Sequence, residues 1–312
     1  MILNPDESKI ISSLGWVDKG SLWILETGSD DIRRIELSDA KYISLHGNSG
    51  QYFSIVHHFD GKRVDISAHS FHKPESAIST IHWENGTGSF EGDVEIWKKV
   101  PRAYPEYLKR PSKSDFYLLY VDPFRPKLNV IDLDWYDDSY DKMYQGVIGA
   151  VAVPKTSKLI ISVQRNSNPI LFDIDGRKLI RKLTLSDRNG NPHLFFRRTA
   201  DELWADDYDT LLSIDPKSWA VKKSARLQDA AENTMQFIGN YAFNKDETLC
   251  AVARPFSGDV IVLDTNRFKV THQSKLGKHP LEVCLLSNGT IYSRDWQTGD
   301  LLKGKIKRKW RT

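Results

Sequence analysis

A single-domain, all-β ring of seven four-stranded antiparallel blades, a β-propeller, is the architecture that the residue pattern predicts, on three grounds. Short runs rich in Val, Ile, Leu and aromatic residues recur along the chain, separated by Gly, Asn, Asp and Pro turns. Corresponding anchors lie about 40 to 45 residues apart, the period of propeller blades. The 312 residues divide by that period about seven times. One such unit cannot bury both of its faces alone, so successive units must lean on one another.

The blades are expected near 12–47, 51–99, 114–140, 146–186, 193–228, 236–276 and 281–306. In the first, Leu22-Trp23-Ile24-Leu25 is a strand, Thr27 to Asp30 a turn, and Ile32 to Leu37 the next strand. Tyr52 to His57 opens the second. Between the second and third, Val100 to Ser114 holds Pro101, Pro105 and Pro111 and reads as a linker or surface excursion. The fourth has the cleanest grammar: Leu159 to Val163, a turn at Asn166 to Pro169, Ile170 to Ile174, a turn at Asp175-Gly176, then Lys178 to Leu185. The fifth and sixth repeat it with Leu211 to Asp215 and Val260 to Asp264 as central strands. The seventh shows three strands, so residues 2–10 are expected to close the ring as its outer strand. Such closure removes an exposed edge and pins the termini.

Composition narrows the function classes. Hydrophobic residues make up 40% of the chain, enough for a core. With 44 basic against 41 acidic residues the charge is nearly balanced, which argues against a nucleic-acid binder. No apolar run approaches the roughly 20 residues of a membrane helix, and the first residues are not those of a secretory signal. The expectation is therefore a cytoplasmic protein without a membrane partner. Cys250 and Cys284 lie in apolar segments and read as buried free thiols.

The stretch from Ala242 to Asp300 carries Phe243-Asn244-Lys245-Asp246-Glu247-Thr248-Leu249, then Val260-Ile261-Val262-Leu263-Asp264-Thr265, then Leu276-Gly277-Lys278-His279-Pro280. This text resembles the YVTN/NHL-type propeller repeat over about two blades. The Gly-His and Trp-Asp dipeptides of WD40 blades are absent. The resemblance implies architecture rather than activity, because propellers host many functions.

No catalytic signature stands out. Gly47-Asn48-Ser49-Gly50 has the wrong spacing for a nucleophile elbow, and two cysteines cannot make a four-cysteine zinc site. The candidate site is cationic. Arg165, Arg254 and Arg294 fall at or near the turn after the second strand of three blades, with Arg125 as a fourth candidate. Converging on one channel mouth, they would favour an anionic ligand or an acidic peptide, since guanidinium binds carboxylate and phosphate bidentately. His193 and His279 lie in inter-blade loops expected on the same face, with His46, Asn48, Asp206, Asp207 and Asp295 as further metal or acid/base candidates. The acidic, aromatic run from Asp132 to Asp141 reads as a solvated loop and the lysines of 303–311 as sheet-edge protection. The reading is a non-enzymatic binding or scaffold protein, with no cofactor, metal or catalytic residue, taking a protein partner or anionic ligand at the channel mouth. The alternative is a lactonase-like hydrolase using a channel-mouth His or acid, with or without a metal.

Overall fold

The computed structural model describes residues 1–14, 18, 20–37, 40–47, 51–58, 63–84, 87–92, 117–122, 127–132, 147–153, 156–163, 166–173, 175–176, 178–185, 193–197, 199–227 and 237–306. Among them the secondary structure is almost entirely antiparallel β, in seven sheets. The first sheet holds β1 (Ile2–Leu3), β2 (Lys9–Ser12), β3 (Ser21–Glu26) and β4 (Asp31–Glu36). The second has five strands: β5 (Ala40–Gly47), β6 (Gln51–His58), β7 (Arg63–Ser70), β8 (Lys73–Glu84) and β9 (Thr87–Gly92). The third is the pair β10 (Tyr117–Asp122) and β11 (Lys127–Asp132). The fourth comprises β12 (Val147–Ala152), β13 (Lys158–Val163), β14 (Asn166–Asp173) and β15 (Lys178–Lys182). The fifth comprises β16 (Leu194–Arg197), β17 (Glu202–Asp207), β18 (Thr210–Ile214) and β19 (Val221–Arg226). The sixth comprises β20 (Tyr241–Phe243), β21 (Leu249–Arg254), β22 (Asp259–Asp264) and β23 (Lys269–Ser274), and the seventh β24 (Pro280–Leu285), β25 (Thr290–Asp295) and β26 (Leu301–Lys305).

Each four-stranded sheet runs from one side to the other in chain order, each strand pairing with the next in the sequence. Burial follows the sequence. The middle strands β17, β18, β21 and β22 are buried almost throughout, and consecutive buried apolar residues such as Leu203-Trp204-Ala205 and Val260-Ile261-Val262-Leu263 show that both faces are covered. The last strands β4, β15, β19 and β23 are largely exposed and correspondingly polar.

By backbone contacts the chain divides into two compact units, one of residues 1–100, 123–128 and 239–312, the other of 101–122 and 129–238. In the first unit, one apolar cluster joins the first and second sheets through Ile11, Leu22, Ile43 and Tyr52. Another joins the first and seventh through Ile10, Leu25, Cys284 and Tyr292, and a third the sixth and seventh through Val262, Leu276, Val283 and Ile291. In the second unit, Ile160, Leu171, Leu203 and Ile214 pack the fourth sheet on the fifth.

The N-terminal strand differs from expectation. Ile2 pairs with Ile11 and Leu3 with Ile10, so residues 2–10 form the opening hairpin of the first sheet and not the outer strand of the last. The reason is the turn between them. Asn4 accepts the Lys9 N–H at 2.8 Å, Asp6 the Ser8 N–H at 2.9 Å, and Glu7 takes φ +61°. The turn from Asn244 to Leu249 has the same three features: 2.8 Å, 3.3 Å and φ +55° at Glu247. Asn-x-Asp-Glu-Ser/Thr is one hairpin used twice. The chain start still meets the last sheet. The Met1 ammonium lies 2.8 Å from Glu282 Oε1 and the Ser12 hydroxyl donates to Glu282 Oε2 at 2.9 Å. Residues 40–47, expected in the first blade, open the second sheet by pairing with 51–58.

Candidate functional site

The sixth and seventh sheets each end a second strand with a residue pattern that builds a tight, polar turn. In the sixth, Arg254 and Asp259 face each other across Pro255-Phe256-Ser257-Gly258. The Arg254 guanidinium donates to both Asp259 oxygens, at 2.8 and 2.7 Å, with both residues buried. A paired, fork-on-fork contact of this kind fixes geometry as well as charge. Gly258 closes the turn at φ +64°, where a Cβ would also sit 3.0 Å from the Lys278 carbonyl oxygen. Held in this frame, the Phe256 ring is 53% exposed.

In the seventh sheet, Arg294 is completely enclosed. Its guanidinium donates to Asp18 Oδ2 and Oδ1 at 2.7 and 2.8 Å, to the Ser12 hydroxyl at 3.0 Å and to the Gly299 carbonyl at 3.2 and 3.0 Å. It lies over the Trp23 ring, 4.7 Å from its centre. All five N–H donors of the group are thereby used.

Both histidines give their backbone N–H to a carboxylate, and their rings make contacts as well. Asp295 accepts the N–H groups of Lys278 and His279 at 3.0 and 2.7 Å and that of Gln297 at 2.9 Å. Burial opposes ionisation of Asp295, but these donors hold its carboxyl below the usual range. The His279 ring meets Trp296 edge-on with centroids 6.3 Å apart, and the Trp296 N–H donates to the His279 carbonyl at 3.0 Å. In the fifth sheet, Asp206 repeats the arrangement. It accepts the His193 N–H at 2.5 Å and contacts the ring Nδ1 at 3.2 Å. Burial raises the Asp206 carboxyl. Burial would lower His193, but the charge and hydrogen bond of Asp206 outweigh it and raise the imidazole. In both cases a carboxylate near the end of the second strand latches the loop that leads into the first.

Two of the four candidate arginines are engaged inside the chain. Arg254 and Arg294 are buried and paired, so neither presents a guanidinium to an external anion. His193 meets Asp206 within the second unit, and His279 meets Asp295 within the first. Among the described residues no group of three or more His, Cys, Asp or Glu side chains is placed to hold a metal. Arg125, Arg165, Asn48, the 100–114 segment, most of the 132–141 run and residues 307–312 lie outside the described residues. Cys250 and Cys284 are buried free thiols, and burial pushes Cys284 up to about 12.

Structural neighbours now fix the architecture. The β-propeller domain of Cps50 (Swd1) from Myceliophteria thermophila superposes with a TM-score of 0.65, at 11% identity, over 98% of this chain and 96% of that one. The fold is that of a β-propeller. A chain of the mitotic checkpoint complex matches at TM-score 0.66 and 7% identity, over 97% of this chain and 85% of its own. Hydrazine synthase of Kuenenia stuttgartiensis matches at 0.60 and 12%, over 97% and 94%. No family model matches the sequence, and no curated protein does. Among the described residues of this propeller, no helix is long and apolar enough to cross a membrane.

What remains at the turn end of the sixth and seventh sheets is an aromatic lip. Phe256 stands on a turn that meets Lys278, and Lys278 leads into the His279–Trp296 contact. The sequence reading missed it because it looked for charge. The signal was present: Pro255-Phe256 and Asp295-Trp296 put an aromatic at the same turn of successive repeats.

Proposed function

We propose that this chain is a non-enzymatic, cytoplasmic scaffold, a closed seven-bladed propeller of WD40- or YVTN/NHL-like build that takes a protein partner on the turn end of its sixth and seventh sheets. The observation that carries the reading is Phe256, more than half exposed on a turn immobilised by the buried Arg254–Asp259 pair. Rigid, exposed aromatics are the residues that dominate binding energy at protein interfaces, because little entropy is lost on docking. The neighbour from the mitotic checkpoint complex is itself a propeller chain of a multi-protein assembly, which supports the same role here. An anionic ligand at the mouth would now depend on Arg125 and Arg165, since the other two arginines are internally paired.

The test is Phe256→Asp. The side chain is solvent-facing, so the melting temperature is expected to stay within a degree or two. Affinity-purified complexes from the native source, compared by quantitative mass spectrometry, should lose one protein partner. Calorimetry with that partner should show binding at least about 30-fold weaker, the scale of a hot-spot residue. If no partner depends on residue 256 while the variant folds normally, the lip is not the binding face.

A further inference from the structure

Among the described residues the seventh sheet is one strand short. The first, fourth, fifth and sixth sheets each carry a fourth strand beyond the third, whereas the seventh ends at β26. Residues 2–10, expected to fill that place, form the opening hairpin of the first sheet instead. Burial registers the difference. The third strands β3, β18 and β22 are mostly buried, but no residue of β26 is.

The ladder register decides which backbone groups face the open side. Antiparallel pairs alternate between those that exchange both backbone hydrogen bonds and those that exchange none. The Asp295 N–H bonds the Asp300 carbonyl at 3.0 Å, and the Ile306 N–H bonds the Gly289 carbonyl at 2.8 Å. With Ile291 opposite Gly304 and Ser293 opposite Leu302, the even-numbered residues of β26 therefore bond to β25. Leu301, Lys303 and Lys305 turn their N–H and C=O groups outward, a row of donors and acceptors at strand spacing. In the sixth sheet the matching row of β22 is taken by β23. The side chains alternate as well. Lys303 reaches Asp30 of the first sheet at 2.6 Å. Gly304 and Ile306 face the sixth sheet: a Cβ on Gly304 would lie 2.8 Å from Leu276 Cδ2, and Ile306 packs on the cluster of Val262, Leu276 and Val283.

We infer that an extended segment of a partner polypeptide completes this sheet as its fourth strand. In such pairing the backbone bonds along the edge supply affinity, and alternate side-chain positions supply specificity. The two faces of β26 define the segment. Opposite Leu302, Gly304 and Ile306 it carries apolar residues, because the two aliphatics are only partly buried and the glycine adds no side chain of its own. Opposite Lys305 it carries an acid, the favourable cross-strand pair. Acids already close to this edge are occupied. Asp30 pairs with Lys303 and accepts the Tyr292 hydroxyl at 2.8 Å, Glu7 accepts the Ser287 N–H at 3.0 Å, and Asp6 accepts the Ser8 N–H at 2.9 Å. Among the described residues Lys305 has no ion pair. Both lysines line a groove of about 720 Å³ between the first and seventh sheets, room for the side chains of a short segment. Lysines guard an edge against a second basic strand, and the same charge admits an acidic one. This surface does not depend on Phe256.

The test uses the full chain and a short synthetic peptide of alternating valine and glutamate, blocked at both ends, with binding read by fluorescence anisotropy. Lys303→Ala keeps the outward N–H and should bind as the parent does. Lys303→Pro removes that N–H without touching the ladder to β25, a change that edge positions tolerate. It should weaken binding about tenfold, the loss of one backbone hydrogen bond. Lys305→Glu should weaken it several-fold, because like charges then stand opposite each other. Equal melting temperatures of the two Lys303 variants confirm folding. The peptide gives a second readout that needs no variant. Residues opposite Lys303 and Lys305 are the ones that bond the edge, so methylating the glutamate nitrogens should abolish binding and methylating the valine nitrogens should spare it. The inference is overturned if no complex forms up to about 1 mM peptide, if the two Lys303 variants bind alike, or if both methylated peptides bind equally. It is also overturned if the free chain is a dimer that Lys303→Pro dissociates, which would give the edge to a second copy.

Discussion

Replacing Arg294 with methionine should cost the protein about 3–5 kcal/mol, the usual penalty for removing one partner of a buried ion pair. The geometry sets the magnitude. The side chains of Arg294 and Asp18 are each 1% exposed, so the carboxylate left behind gains no water when the guanidinium goes. Its remaining donor among the described residues is the Leu14 N–H. Methionine fills much of the volume and can still rest on Trp23, so the loss is electrostatic rather than a cavity. Adding Asp18→Asn removes the stranded charge while keeping an acceptor for Leu14. The double variant should therefore be more stable than Arg294→Met alone. That sign separates a stranded charge from a simple loss of packing. The assay is urea unfolding followed by circular dichroism, read as the shift in midpoint at constant slope. Because Asp18 precedes the first sheet's third strand and Arg294 lies in the seventh, the loss should appear in the unfolding of the whole first unit. A cost below about 1 kcal/mol, or a double variant no more stable than the single, would refute the reasoning.

Two further outcomes follow from buried polar groups. Burial lowers His69 from 6.5 to about 4, so the native state refuses a proton that the unfolded chain accepts. Stability should fall as pH drops below 6.5 towards 4, by up to about 3 kcal/mol at 1.36 kcal/mol per pH unit. His69→Gln should flatten that part of the profile, and an identical slope in the variant would remove His69 as its cause. Asn4→Ala and Asn244→Ala should each cost about 1–2 kcal/mol, since each side chain bonds one backbone N–H and one hydroxyl within its turn. Unequal midpoint shifts would mean that the two turns are not equivalent in energy.

The strand grammar of the fourth to sixth sheets was legible because their middle strands are covered on both faces. Such strands need unbroken apolar runs, as in Val260-Ile261-Val262-Leu263. The first sheet hid itself for the opposite reason. Its opening strand has two residues, Ile2 and Leu3, too few to show any alternation, and Pro5 follows at once. Yet Leu3-Asn4-Pro5-Asp6-Glu7-Ser8-Lys9 spells the same turn as Phe243-Asn244-Lys245-Asp246-Glu247-Thr248-Leu249. Side-chain hydrogen bonding, not hydrophobic period, was the signal there.

Turn position does not decide the role of a charged residue, and the reason is physical. Residues at the turns after second strands were expected to face a ligand. Those turns also carry backbone N–H groups that no ladder satisfies, and a buried donor without a partner is costly. The nearest polar side chains are therefore drawn inward. Asp295 serves the N–H groups of 278 and 279, and Asp206 that of 193. Arg254 closes its own hairpin onto Asp259, five residues on, a pairing that sequence spacing alone could have suggested. Arg294 turns to Asp18, 276 positions away, a pairing that no local pattern encodes. Once turn chemistry has claimed these charges, what this face offers a partner is the half-exposed Phe256 ring.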